Sequence, residues 1–212
     1  MPNKDPYQYI TEKDKELASI YKRLGTPPAW QREKGFATLI QIILEQQVSL
    51  ASAKAAYDKL ANHIEVTPEN FLTLDDATLK SLFFSRQKTR YGRALAQAIV
   101  EGEVSLEHLH AKSDDGIRNK LIKLPGIGNW TIDIYLIMAL DRSDVLPVGD
   151  LALRIAMKEI KGLSQNPTAD ELVRLAKPWQ PYRSYATKLL WHYYLSRKLK
   201  WTVSIICNKR VG

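Results

Sequence analysis

An all-α fold is what this 212-residue sequence predicts. Apolar residues recur at helical spacing, good N-cap residues stand in front of those runs, and no Asn-Gly or Asp-Gly turn joins two alternating apolar segments. Residues 36–44 are apolar on all sides, as in a buried helix. Their β-branched content would also permit a strand, but the continuation through Leu50-Ala51-Ser52-Ala53-Lys54-Ala55-Ala56 favours helix. Thr67-Pro68-Glu69-Asn70 reads as a cap with proline in the first turn, and Asp75-Asp76 opens another helix. Residues 86–101 form a basic amphipathic helix stopped near Gly102, and Ser113-Asp114-Asp115 caps the next. Residues 150–161, 168–176 and 184–199 complete the set. The best breaks are Gly25-Thr26-Pro27-Pro28 and residues 141–147; no internal repeat is present.

Lys and Arg number 31 against 23 Asp and Glu, a net charge of +8. This balance suits a polyanionic partner, with a solvated lysine-rich face as the bland alternative. The single Cys207 excludes a disulfide within the monomer and a four-cysteine zinc or iron–sulfur site. His63, His108, His110 and His192 show no zinc spacing. Residues 1–5 lack an apolar signal core and no apolar run is long enough to span a bilayer, so a cytoplasmic protein without membrane contact is expected, nucleoid-associated if prokaryotic.

Two short motifs carry the chemistry. In Leu124-Pro125-Gly126-Ile127-Gly128, the glycines permit positive φ and close approach, and the helix that follows opens with amides lacking intrahelical acceptors. Such a turn suits a phosphate oxygen, which positions a protein on DNA without reading its sequence; an ordinary helix–turn–helix corner is the alternative. In Leu146-Pro147-Val148-Gly149-Asp150, one acid marks the next helix start. Asp150 is equally a good N-cap, worth about 1 kcal/mol. Together the motifs point to an enzyme acting on DNA.

Residues 122–134 resemble the helix-hairpin-helix of the base-excision DNA glycosylases, and Pro147-Val148-Gly149-Asp150 is similar to their Gly/Pro-rich loop ending in the catalytic aspartate. Ile42-Ile43-Leu44-Glu45-Gln46-Gln47-Val48-Ser49 and Pro178-Trp179-Gln180-Pro181-Tyr182-Arg183-Ser184-Tyr185-Ala186, followed by Leu190-Trp191, resemble signatures of the 3-methyladenine DNA glycosylase II branch. The matches run in order from Phe36 to Trp191.

The resemblance implies two helical subdomains flanking a cleft: residues 36–145 as a helical barrel with the hairpin at about 116–134, and residues 1–35 plus 146–212 as the other. It implies that Asp150 is the catalytic residue, entering the cleft at their junction. Gly126, Ile127, Gly128 and Trp130 would contact the DNA backbone, and Gln47 would be the wedge that fills the gap left by a flipped base, a cap or core amide being its alternative. Trp130 and Trp191 would wall the base pocket, or belong to the core. Trp130 also stands where strand-cutting relatives carry a nucleophilic lysine, and an indole cannot form a Schiff base. Lys123 precedes the turn and suits phosphate or solvent. One departure is Ile134, where a close family member has a pocket tyrosine; Tyr135 points elsewhere on the helix. The carbonyls of Ile122, Leu124 and Ile127 would hold a structural Na+ or K+, with no cofactor for catalysis.

Arg86, Lys88, Arg90 and Arg93, and likewise Arg183, Lys188, Arg197, Lys198 and Lys200, are either solvated basic faces or DNA-backbone contacts. Ser184 and Tyr185 fix the last helix. The expected protein is a monomeric, monofunctional glycosylase that hydrolyses the N-glycosidic bond of alkylated purines, 3-methyladenine and 7-methylguanine types, in double-stranded DNA. A purine alkylated at N3 or N7 is already cationic and leaves without a proton, which suits a site with a single carboxylate. The alternatives are a glycosylase for deaminated, oxidised or mismatched bases and a non-catalytic hairpin protein that binds damaged DNA.

Overall fold

The structure is a computed structural model that describes the backbone of residues 5–208 and the side chains of residues 5–197. Lys198, Lys200 and Cys207 lie outside the described side chains. Among the described residues every regular element is helical. The chain runs through α1 (Pro6–Lys13), α2 (Lys15–Leu24), α3 (Phe36–Glu45), α4 (Leu50–His63), α5 (Pro68–Thr73), α6 (Asp76–Ser81) and α7 (Arg86–Val100). It continues through α8 (Leu106–His110), α9 (Asp114–Leu121), α10 (Asn129–Met138), α11 (Leu151–Ile160), α12 (Ala169–Leu175), a 3-10 turn (Lys177–Trp179) and α13 (Arg183–Asn208). Among the described residues no helix is long and apolar enough to cross a membrane.

The caps explain the boundaries. Thr67, Asp75, Ser113 and Thr168 each accept a hydrogen bond from an opening amide, and Thr168 with Glu171 closes a full capping box. Helices α1, α2 and α8, which the sequence pattern does not single out, are likewise capped, by Asp5, Asp14 and Ser105.

The helices form two compact units: a terminal unit of Met1–Trp30 with Arg142–Gly212, and a central unit of Gln31–Asp141. Residues 31–35 group with the central unit because Arg32 N donates to Met138 O (2.8 Å) and Gly35 N to the Tyr135 hydroxyl (2.9 Å). Residues 142–145 group with the terminal unit, where Ser184 N donates to Ser143 O and Val145 N to Ser184 Oγ. Both boundaries therefore fall earlier in the chain than the bounds 36–145 that the family resemblance implies.

In the central unit α3 is buried all round, with α4, α7 and α10 packed against it. That is why residues 36–44 carry no polar face. Phe71 meets Phe36 edge-on with ring centroids 5.8 Å apart. Tyr135 is fully buried, its hydroxyl 2.7 Å from His110 Nε2; burial pushes the phenol up to about 12, against the opposing Gly35 N–H. Arg118 staples α9 to α10 through Asp133 (2.6 Å) and Asn129 (2.9 Å). Burial pushes the Asp133 carboxyl up, and the Arg118 guanidinium draws it partly back.

In the terminal unit, Ile10, Leu17 and Ile20 from the chain's start pack with Leu153, Met157, Leu172, Trp179 and Leu190. At its centre, the Asp14 carboxylate caps α2 through Glu16 N and Leu17 N and receives Lys161 Nζ (2.8 Å) and Trp179 Nε1 (2.9 Å). Burial alone would raise its pKa, but the bonds from Lys161, Leu17 and Trp179 outweigh it and hold the carboxyl below its ordinary 3.8. Burial opposes the Lys161 ammonium, yet Asp14 and Glu16 hold it above its ordinary 10.5.

Stability of this unit should therefore fall as pH drops through the Asp14 range below 3.8, and again as pH rises past 10.5 into the Lys161 range. Asp14→Ala removes one partner of a buried pair. Urea unfolding at neutral pH is expected to register a loss of about 3 kcal/mol and a flattened acid limb of the pH profile.

Candidate nucleic-acid interface and the Asp150 site

Asp150 sits in the terminal unit at the end of a loop held at several points. Arg183 grips Asp144 through Nε (2.7 Å) and Nη2 (2.9 Å), a bidentate pair, and also reaches the Asp144 carbonyl. Ser184 is buried and accepts from Val145 N at 2.9 Å. Arg183 thus braces the loop and is no solvated cation, and Ser184 fixes the start of α13. A tight turn follows, with Asp150 N donating to Pro147 O at 2.8 Å. Asp150 Oδ1 then accepts from Leu153 N (2.7 Å) and Trp191 Nε1 (2.9 Å). Asp150 and Trp191 are 8% and 7% exposed, a buried carboxylate oriented by a buried indole. Trp30 packs edge-on against Trp191 with centroids 6.2 Å apart. Asp150 is thus the N-cap of α11, and the cap bond and the indole bond both fall on Oδ1.

Two other basic groups on α13 are engaged. Lys188 lies over the Tyr185 ring at 5.4 Å, and Arg197 pairs with Glu159.

The hairpin belongs to the central unit. Helix α9 ends at Leu121, and the turn brings Gly126 to φ +80°, where a Cβ would lie 2.1 Å from the Tyr91 ring. Gly126 is glycine for internal reasons. Gly128 differs: its φ is −95°, and an added Cβ would meet nothing within 4 Å. The protein's own packing leaves room for a side chain there. Helix α10 begins at Asn129 without a side-chain cap, so its opening amides lack intrahelical acceptors. The Ile127 amide is committed, donating to Leu124 O at 3.1 Å. Trp130, in the first turn of α10, is half-buried. Ile134 and Tyr135 are both buried, Tyr135 within the core network described above.

No backbone hydrogen bond of the turn ends on the carbonyls of Ile122 or Ile127, and Leu124 O carries only the one from Ile127. Among the described residues no group of three or more His, Cys, Asp or Glu side chains could hold a metal.

Between α3 and α4, Gln47 adopts φ +59° with an exposed side chain, next to exposed Val48 and Leu50. Gln46, which sequence reasoning passed over in favour of its neighbour, donates Nε2 to Gly126 O (2.8 Å) and Thr131 Oγ1 (3.0 Å). Of the basic groups on α7, Arg86 and Arg90 are exposed, whereas Lys88 donates to Leu44 O at 2.6 Å and Arg93 to Leu74 O and Asp76. Burial lowers the Lys88 pKa. Two of these four basic groups are structural. Lys123 is exposed.

Residues 40–181 match the family described as HhH-GPD superfamily base excision DNA repair protein. YfjP of Bacillus subtilis is 30% identical over 184 residues, which cover 82% of this chain and 64% of that protein. The alkylbase DNA glycosidase-like protein mag2 of Schizosaccharomyces pombe is 28% identical, with 87% and 90% covered. The solved structure of the S. pombe 3-methyladenine DNA glycosylase Mag1 in complex with abasic DNA superposes with a TM-score of 0.82 at 25% identity, covering 88% of this chain and 94% of that one.

The two turn glycines should separate cleanly on substitution. Gly126→Ala is expected to lose more than about 1 kcal/mol in thermal unfolding, from strain at positive φ and collision with Tyr91. Gly128→Ala is expected to unfold within about 0.5 kcal/mol of wild type. Lost DNA affinity in a stably folded Gly128→Ala protein would then report on the outer face of the turn.

Proposed function

The chain belongs to the HhH-GPD superfamily of base excision DNA repair proteins, and on that premise we propose that it is a monofunctional DNA glycosylase releasing alkylated purines, of the 3-methyladenine and 7-methylguanine types, from double-stranded DNA. The observation that carries this reading is the Asp150 carboxylate, held by Leu153 N and Trp191 Nε1 at the end of the braced 144–150 loop. The likeness to mag2 and Mag1 supports the alkylated-base assignment.

In the proposed reaction the glycosidic bond breaks with its electron pair leaving on the purine nitrogen, and positive charge develops on the sugar. Asp150 stabilises that charge and orients or deprotonates the attacking water, leaving an abasic site. A cationic alkylated purine needs no proton to depart, so one carboxylate suffices. Trp130 walls the pocket and attracts the cationic ring by stacking, worth about 1–2 kcal/mol when desolvated. Trp191, the other pocket residue, holds Asp150 in place. Trp130 stands where a lyase would need its amine, so no strand cleavage is proposed.

DNA binds through the hairpin at Gly126, Ile127, Gly128 and the start of α10 at Trp130, with Gln47 filling the space vacated by the flipped base. The carbonyls of Ile122 and Ile127, with the second lone pair of Leu124, would take a Na+ or K+ that stiffens the turn and has no part in the chemistry. The enzyme works as a monomer in the compartment that holds its DNA, the cytoplasm in a prokaryote.

Release of free base from methylated duplex DNA tests this directly. Wild type is expected to release methylated purines, with strand breaks appearing only after alkali. Asp150→Asn keeps a good N-cap but should slow release by about a hundredfold or more at undiminished DNA affinity. Equal release by both proteins would defeat the assignment of Asp150. No release despite tight, salt-dependent binding would favour other lesions, or binding alone. Trp191→Phe keeps a ring but removes the N–H. It is expected to slow release about tenfold, the worth of one charge-assisted hydrogen bond, with little change in thermal stability.

A further inference from the structure

Three consecutive residues at the end of α3 are each tied down. The Leu44 carbonyl accepts from Lys88 Nζ at 2.6 Å. Glu45 forms a bidentate pair with Arg32 at 2.7 and 3.2 Å. The Gln46 side-chain amide spends both hydrogens on the hairpin, at Gly126 O and Thr131 Oγ1. The next residue, Gln47, is left-handed and exposed. A non-glycine residue at positive φ is strained by about 1 kcal/mol and persists only where its neighbours over-determine it. Here the neighbours are these three braces.

The far end of the Gln46 brace is equally fixed. The Gly126–Ile127 peptide is held at its oxygen by Gln46 and at its nitrogen by the bond to Leu124 O. Gly126 itself packs on the Tyr91 ring, and Thr131 is buried in the first turn of α10. One side chain therefore joins the turn that displays Gln47 to the turn that offers its amides to phosphate.

From this we infer that Gln46 is a positioning residue that couples the hairpin's hold on the DNA backbone to insertion of Gln47 into the base stack. The inference rests on the DNA-binding reading above. Gln46 touches neither the base nor the sugar. It sets where Gln47 stands relative to a hairpin already seated on phosphate, so its loss uncouples seating from insertion.

The test uses the full chain and a duplex carrying a tetrahydrofuran abasic analogue opposite 2-aminopurine. Anisotropy reads seating, and 2-aminopurine fluorescence at saturating protein reads insertion. Wild type should bind and raise the fluorescence. Gln46→Met keeps the length and removes the donors. It should lower the fluorescence rise about fivefold, towards the level of Gln47→Ala, while affinity for undamaged duplex stays within about twofold of wild type. Thr131→Val removes one of the two acceptors and should give an intermediate rise, with thermal unfolding confirming that each protein is folded. A wild-type rise in Gln46→Met, or equal losses of seating and insertion, would overturn the coupling role. A wild type that neither binds nor brightens this duplex would overturn the DNA-binding reading itself, and the inference with it.

Discussion

The start of α13 holds the Asp150 loop at both ends, and the proposed chemistry depends on that grip. Arg183 and Ser184 fix Asp144 and Val145, while Trp191, two turns further along the same helix, fixes the carboxylate. A loop with two attachments on one rigid element has little freedom to move its acid. Pre-organisation of this kind lets a single carboxylate stabilise developing charge without first reorienting. It also gives the dense run of residues 178–191 a physical purpose: a mounting for Asp150.

The central unit solves a different problem with similar means. In the proposed reading the hairpin grips phosphate through backbone amides, which requires those amides to face outward and the rest of the turn to be locked. Tyr91 under Gly126, the Ile127–Leu124 bond and the Arg118 staple supply the locking. Gly128 is left as the position whose lack of a side chain the protein's own packing does not explain.

Features encoded locally could be read from the sequence. The α3 run, the caps at Thr67, Ser113 and Thr168, the glycine turn and Asp150 all show in short windows, because each is a matter of nearest neighbours. Partners brought from far along the chain left no such mark. Nothing in the residues around Lys88 says that its ammonium meets Leu44 O: a helical wheel turns it away from exposed Arg86 and Arg90 but does not name the carbonyl it reaches. Asp14 looks like any helix cap until Lys161 and Trp179 arrive. Gln46 and Gln47 are chemically identical neighbours. Only the backbone, extended at Gln46 just past the helix end and left-handed at Gln47, sends the first to the hairpin and the second to solvent.

The terminal unit is assembled from both ends of the chain, and this bears on how the protein is made. Asp14 and Trp179 are joined across 165 residues, so the unit has a high contact order, whereas the central unit is continuous in sequence. During synthesis, residues 31–141 can complete their core while the ribosome is still working. Helices α1 and α2 must wait, with Ile10, Leu17 and Ile20 uncovered, until α13 emerges. The nascent chain thus has the hairpin before it has the site of its acid.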